Sequence, residues 1–192
     1  MTLNVTILYG STRRDRQGIK AARFIEQQFQ ERGHNTDFID AIEADLPLLD
    51  RMYKEYPAGQ APENMEKLAT IYRASDGFVI VSGEYNHGIP PALKNLLDHF
   101  LEEYFYRPSG IVCYSAGSFG GVRAAMQLRM TLAELGMSSI PTLFPVPKVQ
   151  SAFTEDGTPT NDATYRYVKS FLNEFEWYAQ AMKEARAKGL PT

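Results

Sequence analysis

Residues 79–95 read VIVSGEYNHGIPPALKN, and four consecutive positions, Glu84, Tyr85, Asn86 and His87, gather a carboxylate, a phenol, an amide and an imidazole. A β-branched apolar run ends at Ser82 and a helical pattern opens at Ala92, so these groups belong to a loop between a buried strand and a helix. In open parallel sheets, ligands bind outside the carboxyl ends of the strands, where such loops emerge. Two more loops share this character: Gly10, Ser11, Thr12 and Arg13 follow an apolar run ending at Tyr9, and SAGSFGG follows one ending at Tyr114. Three loops of this kind at one edge would meet at a single ligand. In the first, the Ser11 and Thr12 hydroxyls, backbone N–H groups, Arg13 and the start of a helix make a cradle for phosphate. A terminal monophosphate fits better than a pyrophosphate, because no glycine follows Gly10 until Gly18 and the GxGxxG fingerprint is absent. The same residues also suit an ordinary solvated turn, and the segment alone does not choose between the two.

The elements that must position these loops alternate along the chain. Residues 3–9 form a first strand with the continuous apolar character of burial on both faces. From Gly18, the residues Ile19, Ala22, Phe24, Ile25 and Phe29 recur at helical spacing until Gly33. Residues 36–39 are a shorter second strand, and the Tyr- and Pro-bearing segment that follows to Pro62 is a long loop of the kind that is often functional. A helix over Glu63–Ala74 leads to a third strand at 78–81. The helix opening at Ala92 carries Leu93, Leu96, Leu97 and Phe100 on one stripe and is predicted to end before Pro108. A fourth strand at 111–114 and an amphipathic helix at 124–135 come next. Residues 139–149, interrupted by Pro141, Pro145 and Pro147, predict only a short or edge strand with an irregular tail. A last helix runs from about Asp162 to Gly189. Five strands alternating with five helices predict an α/β fold, a doubly wound five-stranded parallel sheet with helices on both faces.

At 192 residues, 44% hydrophobic and 22% charged, the chain suits one sizeable core, and residues 1–192 are expected to form a single domain. A net charge of −3, with no basic cluster beyond Arg13, Arg14 and Arg16, argues against nucleic acid. No apolar run nears the roughly 20 residues that span a bilayer, and the N-terminus lacks a basic signal region. A cytoplasmic protein without a membrane partner is expected. Cys113, inside the run IVCY, suits a buried thiol. His34, His87 and His99 lack thiolate or carboxylate companions at ligand spacing, so no metal is expected.

Three motifs in order carry a family resemblance: GSTR after the first strand, EYNHGIPPALKN after the third and SAGSFGG after the fourth. Together they resemble the NADPH-dependent FMN reductase family of flavodoxin-like proteins, which includes quinone, azo-dye and chromate reductases, over about residues 3–143. The resemblance implies a flavodoxin-like FMN-binding domain, FMN as cofactor and NADPH or NADH as co-substrate. It implies a homodimer or homotetramer built through the helices after the second and third motifs. It further implies that Ser11, Arg13 and the corner of Gln17 and Gly18 hold the FMN phosphate. Glu84, Tyr85, Asn86, His87 and Gly88 would then lie along the isoalloxazine and ribityl chain, and Ser115, Gly117 and Gly120 would meet the polar edge of the ring. The chain departs from the family pattern at Gly83, where proline is usual, and at Arg16 and Gln17, where Ser and Asn are common.

The activity implied is hydride transfer from a reduced nicotinamide to FMN and on to a small-molecule electron acceptor: a quinone, an azo compound, a flavin, or a metal oxyanion or ferric species. Hydride arrival at the flavin N5 requires no protein acid or base, so no catalytic side chain is assigned. Tyr85, Asn86 and glycine backbone suit a flat ring, and backbone N–H groups of the third loop suit negative charge near N1. A flavodoxin-type electron carrier and a flavin-free binding or regulatory module use the same fold. The modest net charge favours the enzyme, since carriers that dock basic partners tend to be strongly acidic. Several residues also have a plainer role: Glu84 as a backbone-positioning or ion-pairing group, His87 as a structural hydrogen bonder, and His34 and His99 as surface or packing residues. Lys94 and Asp98 read as an exposed helix pair, and Met126, Met130 and Met137 as core or interface.

Overall fold

The most apolar stretches of the chain occupy the middle of a sheet, as double-sided burial requires. The structure, a computed structural model, describes residues 1–191. Strands β3 (Gly77–Gly83) and β4 (Pro108–Tyr114) are buried at every residue, and β1 (Asn4–Tyr9) from Val5 onward. β2 (Asn35–Asp40) and β5 (Ser138–Val146) form the edges. The order is β2-β1-β3-β4-β5 and each neighbouring pair is parallel, the flavodoxin-like arrangement, in which a ligand crevice opens where the order reverses.

Alternation along the strands divides the core in two. Val5, Ile7, Val79 and Val112 pack against α1 (Gly18–Glu31) and α6 (Ala163–Ala187), chiefly on Ile25, Phe29, Phe171 and Phe175. Leu8, Phe78, Ile80 and Cys113 pack against α2 (Glu63–Ala74), α3 (Pro91–Asp98) and α4 (Val122–Glu134). Burial pushes the Cys113 thiol up to about 12, so it serves as a small apolar side chain. No helix among the described residues is long and apolar enough to cross a membrane.

Four expectations are refined or corrected. First, α3 ends before Pro108 as expected, but already at Asp98, so Phe100, expected on its stripe, lies beyond the helix, and Glu102–Tyr104 forms a 3-10 turn. Phe100 and Tyr104 continue the apolar spacing but turn into an aromatic cluster, with ring centroids 4.8 Å apart for Tyr72 and Phe100 and 5.1 Å for Phe78 and Tyr104. Second, of the short and edge alternatives β5 takes the edge one, as a nine-residue strand. Pro141 and Pro145 are exposed on a strand that pairs only with β4, and an edge position needs no N–H from them. Third, an additional short helix, α5 (Val149–Ala152), follows β5, giving six helices among the described residues rather than five. Fourth, of the three methionines weighed as core, only Met137 is buried, and Met126 and Met130 face solvent. Lys94 and Asp98 do pair along α3.

At the sheet's amino edge, Asp76 ties the end of α6 to the strands. Its carboxylate accepts from the Asn4 N–H at 3.0 Å, Lys183 Nζ at 2.7 Å and Arg186 Nη2 at 3.1 Å. Removing the buried carboxylate leaves the Asn4 N–H without its acceptor and both cations without their counter-charge, with only the Thr2 carbonyl for Lys183 and the Tyr106 carbonyl for Arg186. The cations are partly exposed, which moderates the loss. Asp76→Ala should lower stability by about 2 kcal/mol in urea unfolding; a midpoint unchanged from the parent would mean that this clasp contributes little.

Candidate functional site

The loop after β1 leaves the sheet with Ser11 buried and residues 12–15 exposed. The N–H groups of Ser11, Thr12 and Arg13 have no acceptor among the described residues, and Arg13 forms no ion pair there. Arg16 is committed instead: its Nη1 donates to both oxygens of Asp40, at 2.7 and 2.6 Å, and to the Ser11 carbonyl at 3.3 Å. The hydrogen bond to Asp40 raises the Arg16 pKa further. Gln17 stands at the N-cap position of α1 without a capping side-chain bond; Ile19 N–H donates to the Arg16 carbonyl at 3.1 Å and Lys20 N–H to that of Gln17 at 3.3 Å, which leaves the Gly18 N–H without an acceptor among the described residues. Gly18, the first residue of α1, lies against the Tyr114 ring so closely that a Cβ there would come within 2.1 Å of it. Only glycine allows that approach.

The second loop is a two-residue hairpin. Tyr85 and Gly88 exchange N–H···O bonds at 3.0 and 2.8 Å, while Asn86 and His87 hold φ of 49° and 67°. Two successive left-handed residues define a type I′ turn, and Asn and His are among the side chains that tolerate this region best. The turn presents both side chains to solvent at its tip. The Tyr85 hydroxyl behind it is buried without a partner. Glu84 reaches across to α4, where its Oε2 accepts from the N–H groups of Arg123 at 3.0 Å and Ala124 at 3.2 Å. It thereby caps a helix whose own N-cap residue, Gly121, has no side chain to offer.

In the third loop the carbonyls are used up and the amides are not. Lys148 N–H donates to the Gly117 carbonyl at 3.0 Å, Val149 N–H to that of Ser115 at 3.1 Å, and Gln150 Nε2 to that of Ala116 at 3.4 Å. The Ser115 hydroxyl also donates to the Gly117 carbonyl. The N–H groups of Ala116, Gly117 and Ser118 have no acceptor among the described residues. Such a run of free amides favours negative charge. Gly120, expected along a ring edge, is buried at φ 63° against Pro145 and the Pro147 backbone.

The three loops therefore form an open shelf at the carboxyl edge, with Ser11, Arg13, Tyr85, Asn86, His87, Gly88, Ser115 and Gly117 around it. Glu84, Gly18 and Gly120 act as fixings beneath it, and Gln17 lies at its rim. Tyr85 has a buried hydroxyl with no partner; the Tyr9 and Tyr114 hydroxyls are buried beside each other and Ser11, and burial raises the pKa of both phenols. A cavity of about 550 Å³ lies at the opposite edge, between Tyr106, Met137 and Met182, and contains none of these residues. Motif reading missed Asp40 and Tyr114. Asp40 was visible only as a strand end, and Tyr114 only as the residue before a loop.

The model of the family described as NADPH-dependent FMN reductase matches residues 3–151. The chain belongs to that family. This FMN reductase family member is 24% identical over 185 residues to an NADPH azoreductase from Bacillus sp. (strain OY1-2), covering 96% of this chain and 97% of the relative. It is 26% identical to a quinone reductase of Pseudomonas putida (strain KT2440), covering 90% and 92%. Among solved structures it is similar to FerB, a flavoenzyme NAD(P)H:(acceptor) oxidoreductase from Paracoccus denitrificans, with a TM-score of 0.74 at 22% identity over 94% of this chain and 99% of that one. Membership makes the protein an oxidoreductase of the FMN and reduced-nicotinamide class.

The strained position at the tip of the FMN reductase hairpin has a measurable consequence. A left-handed non-glycine residue costs about 1 kcal/mol or more, and glycine removes that strain while adding chain entropy to the unfolded state. His87→Gly should raise the urea midpoint of the flavin-free protein, equivalent to about 0.5 kcal/mol; a lowered midpoint would show that the imidazole makes stabilising contacts.

Proposed function

We propose that this protein is an FMN-dependent NAD(P)H oxidoreductase that carries its flavin on the shelf formed by residues 11–18, 84–88 and 115–120. We further propose that it passes electrons to a flat, electron-poor acceptor of the quinone or azo class, with residues 1–192 working as one FMN-binding domain. The observation that carries this reading is the convergence, at one sheet edge, of free backbone amides from two loops with an unpartnered buried phenol from the third.

The donor set fits FMN. The Ser11, Thr12 and Arg13 amides, the Arg13 charge and the first turn of α1 suit a phosphate dianion. Tyr85, Asn86 and the Gly88 backbone suit one side of a flat heterocycle, and the Tyr85 hydroxyl would gain the partner it lacks in the protein. The Ala116, Gly117 and Ser118 amides suit the pyrimidine edge, where negative charge accumulates on reduction. When bound, FMN supplies the redox chemistry by accepting hydride from the nicotinamide and releasing electrons to the acceptor. The protein's part is to bind, orient and tune, and no side chain has to gain or lose a proton for hydride arrival. The exposed hairpin tip leaves room for nicotinamide and acceptor to use one face in turn.

Anaerobic reduction tests the reading directly. NADPH or NADH should bleach the bound flavin, and a quinone or azo dye should restore its colour. Failure of both nucleotides to reduce it would favour a carrier and end the enzymatic assignment. Arg13→Ala should weaken FMN about tenfold or more in fluorescence titrations while leaving riboflavin, which has no phosphate, near its parental affinity. Equal weakening of both flavins would rule out the phosphate contact.

The same reading extends to assembly. Phe119, Met126 and Met130 are 62%, 47% and 70% exposed along the third loop and α4, an apolar set that a second copy of the chain would cover. A homodimer through this face, or a homotetramer built from two such dimers, is the assembly proposed. Met130→Glu should shift the light-scattering mass towards the monomer. A parent protein that is monomeric at working concentration would remove the idea.

A further inference from the structure

Arg16 and Asp40 lie 24 positions apart in sequence and meet directly beside the first loop. Tyr9 and Asp40 are paired across β1 and β2, so the carboxylate stands at the sheet edge where the loop begins. Asp40 is almost wholly buried, and its Oδ1 also accepts from the Ile42 N–H at 2.9 Å. The Arg16 side chain is 23% exposed and passes 5.4 Å from the Tyr9 ring centroid. All of its protein acceptors, the two Asp40 oxygens and the Ser11 carbonyl, are served by one nitrogen, Nη1. Nε and Nη2 have no acceptor among the described residues. A guanidinium with one nitrogen anchored and the remaining donors free is an oriented anion contact.

We propose that Arg16 is a second phosphate-contacting group for the flavin and that Asp40 is its positioning residue. This rests on the FMN reading above. Asp40 clamps Nη1, Nη1 holds the Ser11 carbonyl, and the free donors remain available to a phosphate together with Arg13. The pair is neutral overall, so Arg13 supplies net attraction while Arg16 supplies fixed direction.

The opposite role for Asp40 predicts the opposite sign. If it were only a negative charge near a phosphate dianion, neutralising it would tighten FMN. If it positions Arg16, neutralising it weakens FMN. Asp40→Asn keeps an oxygen for the Ile42 N–H, so the fold should persist, as urea unfolding will check. The experiment titrates flavin-free parent, Asp40→Asn, Arg16→Ala and the double variant with FMN and with riboflavin. The expected result is FMN binding about tenfold weaker in each single variant, riboflavin unchanged, and a double variant no worse than Arg16→Ala, because Asp40 acts through Arg16. Tighter FMN binding in Asp40→Asn, losses that multiply in the double variant, or equal losses for both flavins would each overturn the proposal. If Asp40→Asn unfolds, Arg16→Lys serves in its place. It keeps the charge without the planar fork, and it is expected to lose FMN affinity but not riboflavin affinity; parental FMN binding by Arg16→Lys would overturn the proposal. A parent that fails to bind FMN, or binds it no better than riboflavin, would instead defeat the underlying flavin reading.

Discussion

At the carboxyl end of β4 the Tyr114 ring is held between the first turn of α1 and the end of β3, while its own backbone lies under the glycine turn that starts α4. A Cβ on Gly18 would come within 2.1 Å of the ring, one on Gly83 within 3.2 Å, and one on Gly121 within 2.7 Å of the Tyr114 carbonyl oxygen. Each of the three loops is therefore referenced to one residue. Close-packed interiors transmit displacement instead of absorbing it, so a shift of this ring would move all three loops together. Gly83, a departure from the pattern that the resemblance implies, takes its place here, against the ring.

Polar fixings complete the frame that packing begins. Glu84 ties the second loop to the start of α4, and Arg16 ties the first loop to the end of β2. The segment after β5 takes the carbonyls of the third loop. In each case the protein satisfies the groups that face inward and leaves donors on the other side, so the shelf is rich in N–H without being strongly charged. Preorganised amides of this kind stabilise developing negative charge with little rearrangement at the moment of reaction.

Much of this was legible from residue order. Glycine punctuation marked the ends of α1 and α6, and unbroken apolar runs marked the central strands. The three motifs fell on the three loops that share an edge. What was hidden depended on contacts distant in sequence. Phe100 reads as part of the α3 stripe because it keeps helical spacing while serving a cluster with Tyr72. The prolines of β5 leave a short strand and an edge strand as equal alternatives, and residue order does not choose between them because strand order is a property of the whole sheet. Arg16 and Asp40 could be joined only once β1 and β2 were in register. Met126 and Met130 have the spacing of core residues, and nothing in their types separates a face turned to the sheet from one turned to a partner.

The openness of the shelf has a cost in selectivity. Asn86, His87 and the chain from Ala116 to Phe119 stand in solvent, with no lid above them among the described residues. On the flavin reading proposed above, and with the single chain alone around the shelf, a reduced flavin there would be as accessible to dioxygen as to a planar acceptor. The electron pair would then be shared out according to which oxidant arrives first, and in aerated solution, with acceptor scarce, the same shelf would become a source of superoxide and peroxide.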